Sequence, residues 1–140
     1  EDPLDAVRGL APWALTVHVK DHAVSECPEG FWMGDVALGE GMLDLFPMVD
    51  AIRRSRPEAH FNLEVITRDP ILVPALTPGY RATFADLRQE DIGRTMALVR
   101  AKGAREPLSE VSRLGAAEQL ALERHNVERS IRYARERLGI

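Results

Sequence analysis

The chain has 140 residues, 45% hydrophobic and 29% charged, enough for one compact domain but short of the roughly 250 residues of a complete eight-stranded α/β barrel. Nine prolines and ten glycines in so apolar a composition do not describe a disordered chain, and a formal charge of −4 leaves no footprint for a nucleic-acid partner. Cys27 is the single cysteine, which excludes an internal disulfide and makes a reducing, cytoplasmic compartment the simplest expectation, and no apolar run reaches the roughly 20 residues that cross a membrane.

Asp2-Pro3 reads as a helix start, with Asp2 as N-cap, Pro3 at the first helical position, and Leu4, Val7 and Leu10 on one face before Ala11-Pro12. Trp13 to Lys20 is short, apolar and β-branched, and predicts a strand buried on both faces, as in parallel sheets. Residues 22–42 read as a long connection, in which Phe31 and Trp32 form an apolar lid or anchor the loop. Asp44 then caps a helix from Leu45 to about Ser55, with Leu45, Met48, Val49 and Ile52 inward and Pro47 tolerated in the first turn. Phe61 to Ile66 is the second predicted strand. The strand–loop–helix–strand order makes one right-handed βαβ unit with parallel strands.

Beyond Pro70 an irregular, proline-punctuated stretch runs to about Phe84. Two helices are predicted after it. One spans about Glu90 to Lys102, with Ile92, Met96 and Val99 inward and Gly103 as C-cap. The other spans about Ala116 to Leu138, with Leu120, Val127, Ile131, Ala134 and Leu138 forming its packing stripe.

Two parallel strands leave unpaired edges. The expectation is that further strands complete the sheet, from a partner chain, a homo-oligomer or the remainder of a larger fold. The opening residue is Glu1, not Met, which is expected of a chain beginning partway through a longer protein.

His18 and Glu64 fall near the C-terminal ends of the two strands, where α/β folds bind ligands. An imidazole and a carboxylate presented there suit a divalent cation such as Mn, Mg, Zn or Co. The alternative for His18 is a buried histidine bonded to backbone. Glu64 in an apolar strand calls for a cation or a proton-transfer role, because an unpaired buried carboxylate is costly.

Three segments in order, Val17-His18-Val19-Lys20-Asp21, Leu38-Gly39-Glu40-Gly41-Met42-Leu43-Asp44 and Asn62-Leu63-Glu64, resemble the sugar phosphate isomerase/epimerase family. That family has the xylose-isomerase-like TIM barrel. The resemblance implies that residues 1–70 are about the last two βα units of such a barrel, and that residues 71–140 are an irregular segment and helical C-terminal extension. It makes His18 a metal ligand and Glu64 both a ligand and the catalytic acid/base. The family's other two ligands lie on earlier strands. Lys20 and Asp21 are candidates for substrate contact or for a rim ion pair. Arg68 is a candidate for an anionic substrate group, or for a pair with Asp69 or Glu40. The bland reading of Gly39 and Gly41, a tight turn before a helix, is preferred to phosphate binding.

The implied activity is a divalent-metal-dependent isomerase or epimerase, moving a proton beside the carbonyl of a sugar, sugar phosphate or polyol. The alternatives are a dehydratase of the same family and a non-catalytic subunit that completes a barrel with a partner. The activity is expected of the longer parent protein.

Overall fold

A computed structural model describes residues 2–140. Helix α1 (Pro3–Leu10) begins as expected, with the Asp2 side chain accepting from the amides of Leu4 and Asp5. Strand β1 (Thr16–Val19) follows, and helix α2 (Leu45–Ser55) leads to strand β4 (His60–Leu63). β1 and β4 are parallel, as predicted, with Val17 opposite Phe61 and Val19 opposite Leu63.

Both strands alternate. Thr16, His18 and Lys20 share a face with Asn62 and Glu64, because side chains repeat every second residue. Val17, Val19 and Phe61 belong to the opposite, apolar face, packed with Leu38, Leu45, Val49, Ala134 and Leu138. The expectation of burial on both faces is therefore corrected. Composition alone counted the β-branched residues and missed their period of two.

The region expected to be a long loop is a β-hairpin, β2 (Asp21–Cys27) and β3 (Gly30–Val36), turning at Pro28 and Glu29. Phe31 and Trp32 are thus strand residues on opposite faces, Phe31 buried and Trp32 exposed, and neither belongs to a lid. Within the proline-punctuated stretch, β5 (Ile71–Val73) adds to β3 antiparallel. Pro70 and Pro74 bracket this three-residue edge strand, a position where a missing amide donor is tolerated. The one-turn helix α3 (Pro78–Arg81) follows. Helix α4 (Gln89–Lys102) buries Ile92, Met96 and Val99, as predicted, against Val24, Phe31 and Ala75. Gly103 is its C-cap, though in an extended conformation.

Helix α5 (Ala116–Tyr133) passes into a π-turn over Ala134–Leu138. Its buried stripe is Asn126, Ser130, Ala134 and Leu138. Leu120, expected inward, is 67% exposed, and Ile131 also faces out. The stripe is turned toward two polar residues because each has a partner: Ser130 Oγ accepts from the Leu38 amide at 3.1 Å, and Asn126 Nδ2 donates to Thr67 Oγ1 at 3.3 Å. A repeat of four drifts around an α-helix, and the wider π-turn, in which the Gly139 amide reaches the Ala134 carbonyl, keeps Leu138 on the core side. Arg53 at the end of α2 donates to the Leu138 and Gly139 carbonyls, closing this C-terminus.

The described residues thus form five α-helices and two small sheets, one of two parallel strands and one of three antiparallel strands. This overturns the expected C-terminal portion of a TIM barrel. The strand after β1 leaves the parallel pair and turns antiparallel in a separate sheet, and no further strand extends either edge of β1–β4 among the described residues. No described helix is long and apolar enough to cross a membrane.

Candidate functional site

The polar face of β1–β4 carries a linked set of charges. His18 stands opposite Asn62 on β1, and Glu64 follows β4 directly, its amide donating to the Val19 carbonyl at 3.0 Å. That bond extends the ladder by one residue and brings the Glu64 carboxylate level with His18 and Lys20. Each carboxylate oxygen then has its own partner: Lys20 Nζ lies 2.7 Å from Oε1 and His18 Nδ1 lies 2.9 Å from Oε2. One step along the same face, Asn62 Nδ2 donates to Thr16 Oγ1 at 2.8 Å.

Lys20 connects this pair of strands to β3. Its ammonium also lies 3.5 Å from Asp35 Oδ1. Asp35 is the hub of a second group. Its side chain is 5% exposed, Arg68 Nε donates to Oδ2 at 2.9 Å, and His22 Nδ1 sits 3.0 Å from Oδ1. The His22–Asp35 contact is close but lacks the alignment of a hydrogen bond, so both of these buried atoms remain without one.

The electrostatics follow from these contacts. The hydrogen bond from Lys20, and after it the one from His18, holds the Glu64 carboxyl below the usual carboxylate range. The same bond to Glu64 raises the Lys20 ammonium above its ordinary value, against a smaller opposing effect of burial. Glu64 is accordingly an anion and Lys20 a cation across the physiological range.

The residues singled out from sequence separate into two groups. His18, Lys20 and Glu64 meet directly, and Arg68 reaches them through Asp35. Asp21 does not join them. It is 1% exposed, and its carboxylate accepts from the backbone amides of His22, Gly39 and Gly41 at 2.9–3.0 Å. The amides of the Gly-Glu-Gly turn are therefore occupied by a carboxylate of the chain itself. Gly39 has φ +84°, and a Cβ there would meet the Tyr133 ring at 2.2 Å; a Cβ on Gly41 would sit 2.1 Å from Asp21 Oδ1. The turn needs both glycines for conformation and close approach.

Sequence reasoning missed Asp35 and His22, which were assigned to a loop. The available signal was the hairpin itself: Pro28-Glu29-Gly30 between two seven-residue runs places His22 and Asp35 in register. Arg68 pairs with Asp35 rather than with Asp69 or Glu40. Asp69 instead accepts from the Ser112 amide at 2.7 Å, and Glu40 pairs with Arg129.

His18 and Glu64, the two expected metal ligands, lie side by side and are hydrogen-bonded to each other, with Nδ1 2.9 Å from Oε2. The His18 side chain is 62% exposed and can be approached from solvent. No group of three or more His, Cys, Asp and Glu suited to hold a metal occurs among the described residues. No protein-family model, curated protein or solved structure matches the chain.

Proposed function

We propose that the polar face of β1–β4 is the proton-transfer site of a divalent-metal-dependent isomerase or epimerase acting on a sugar or polyol. The observation that carries this reading is the Glu64 carboxylate, held between an ammonium and an imidazole at the C-terminal ends of two parallel strands. The resemblance of the His18, Gly-Glu-Gly and Glu64 segments to sugar isomerases supports it as a likeness of sequence, without the barrel that the resemblance implied.

In this reading His18 and Glu64 would supply two ligands to the cation. The cation, when bound, supplies positive charge to neighbouring substrate oxygens. Glu64 removes the proton from the carbon beside the carbonyl, and the C–H electron pair moves through the new C=C bond onto the carbonyl oxygen. The proton returns at the adjacent carbon in isomerisation. Return to the opposite face of the original carbon, from a second acid, gives epimerisation. Lys20 keeps Glu64 ionised and oriented through its hydrogen bond to Oε1, and in this reading its ammonium would also donate to the developing oxyanion. A carboxylate held below its ordinary pKa is a weak base, so most of the barrier reduction must come from stabilising that oxyanion.

The test is solvent exchange. The intact protein, supplied with Mn²⁺ and a panel of ketoses and aldoses in D₂O, should introduce deuterium beside the carbonyl of at least one substrate. Glu64→Gln should lower that rate by about 10²–10⁴-fold. Absence of exchange across the panel, or full exchange in Glu64→Gln, overturns the reading. Exchange accompanied by loss of a hydroxyl would assign a dehydratase instead.

A further inference from the structure

Lys20 faces two carboxylates, Glu64 Oε1 at 2.7 Å and Asp35 Oδ1 at 3.5 Å. The two differ in how firmly the fold holds them. Glu64 follows the last residue of β4 in a two-stranded sheet, and its side chain is 32% exposed. Asp35 sits on β3, the middle strand of the antiparallel sheet, in register with His22, and its side chain is 5% exposed. Arg68 Nε closes the other Asp35 oxygen at 2.9 Å. Arg68, Asp35, Lys20 and Glu64 therefore form a row of alternating charge, and Asp35 is its most firmly held member.

We infer that Asp35 is the positioning residue of the Glu64 site: from a rigid strand it holds the Lys20 ammonium against Glu64, so that the hairpin β2–β3 sets the geometry of proton transfer. A lysine is a flexible stem with a strongly hydrated head, and one contact to a part-exposed carboxylate fixes it poorly, because water competes and rotamer freedom is lost. The second carboxylate changes this balance. A Lys20 that swings into solvent leaves the buried Asp35 Oδ1 facing only His22 Nδ1, without a hydrogen bond. Taking the opposite charge away from a buried carboxylate is unfavourable, so the ammonium stays between the two acids. Asp35 acts through Lys20 and has no contact with Glu64 itself. The catalytic consequence rests on the proposed role of Glu64, whereas the anchoring of Lys20 rests on the contacts alone.

The experiment is ¹⁵N relaxation of the lysine ammonium groups in the intact, metal-free protein. Lys20 and Lys102 are its two lysines, and Lys102, exposed at the end of α4, is the internal reference. Lys20 should be clearly more ordered than Lys102 in the wild type. Asp35→Asn, equal in shape but uncharged, should bring Lys20 down to the Lys102 level while the β2 and β3 amides keep their resonances. Glu64→Gln should leave Lys20 more ordered than Lys102, because Asp35 remains. With Mn²⁺ and the panel of ketoses and aldoses, Asp35→Asn should lower kcat for deuterium exchange by about 10–100-fold and change KM by less than about twofold. Lys20 no more ordered than Lys102 in the wild type, unchanged order in Asp35→Asn, or complete loss of order in Glu64→Gln overturns the inference. The wild-type and Glu64→Gln measurements decide it even where Asp35→Asn does not fold. A mobile Lys20 in Asp35→Asn, with no exchange by the wild type, would keep the anchoring and remove the role of Glu64. Glu64-dependent exchange with kcat unchanged in Asp35→Asn would keep Glu64 and remove Asp35.

Discussion

The parallel pair β1–β4 and the antiparallel sheet β2–β3–β5 use similar residues to different ends. The antiparallel sheet lies under α4, and Val24, Phe31, Met96 and Val99 close a core between them. The parallel pair has one apolar face on α2 and the C-terminal turn, and its other face is polar and carries His18, Lys20 and Glu64. Apolar residues beside it stay in solvent, Trp13 at 75% and Leu15 at 66% exposure. The lesson is a division of labour: the antiparallel sheet buries its apolar residues under one helix, and the parallel pair divides its two faces between a core and a polar surface open to solvent. Lys20 and Asp21, consecutive residues between the two sheets, join them, Lys20 through Glu64 and Asp35, Asp21 through the glycine-rich turn.

This contrast can be broken by experiment. Met96→Ala should destabilise the protein by about 2–5 kcal/mol, the cost of a cavity in a closed core, whereas Leu15→Ala beside β1 should stay within about 0.5 kcal/mol. Chemical denaturation of both variants measures this, and equal losses would erase the distinction between the two regions. Asp21→Asn comes next. An amide offers one acceptor oxygen where the carboxylate offers two, leaving a part-buried backbone N–H of Gly39, Gly41 or His22 unpaired, at about 1 kcal/mol. Protection of the Gly39 and Gly41 amides from hydrogen exchange should fall in that variant; unchanged protection would show that the turn holds itself together.

The smallest effect expected is on acid stability. Glu64 is held below its ordinary value of 4.5, so its contribution is complete above that value and disappears as pH falls through the lower folded-state value. Asp91 on α4 behaves in the same way, from 3.8 down to about 2, chiefly through its hydrogen bond from Arg88. Stability should therefore decline on acidification from about pH 4.5 toward 2. Lys20→Met should flatten the part of that decline due to Glu64 and leave the Asp91 part in place. An unchanged pH profile in Lys20→Met would show that the bond to Lys20 does not set the Glu64 charge.

Much of the fold was legible because local signals were strong. Asp2-Pro3 announced α1, the Leu45–Val49–Ile52 stripe announced α2, and Ile92, Met96 and Val99 marked the inner face of α4. The parallel relation of β1 and β4 followed from the helix between them. The hairpin did not emerge, because residues 22–36 mix His, Glu, Gly and aromatic residues without a clean apolar period, and their pairing depends on cross-strand register. The α5 stripe was misplaced for a related reason: hydrophobicity pointed to Leu120 and Ile131, while Asn126 and Ser130 are buried by hydrogen bonds to distant segments.

By itself, then, the sequence determined the four longer helices, the parallel strand pair and the nearness of His18 to Glu64, since these depend on periodicity and on neighbours within one βαβ unit; that Lys20 joins them only the structure showed. Tertiary structure alone decided that the parallel pair stands beside a separate antiparallel sheet, and that Asp21 holds a turn while Asp35 takes the place beside Lys20 and Arg68. A carboxylate's role is set by the donors that reach it. For Asp35, and for Asp21 apart from the adjacent His22 amide, those donors come from residues distant in the chain, beyond the range of any local pattern.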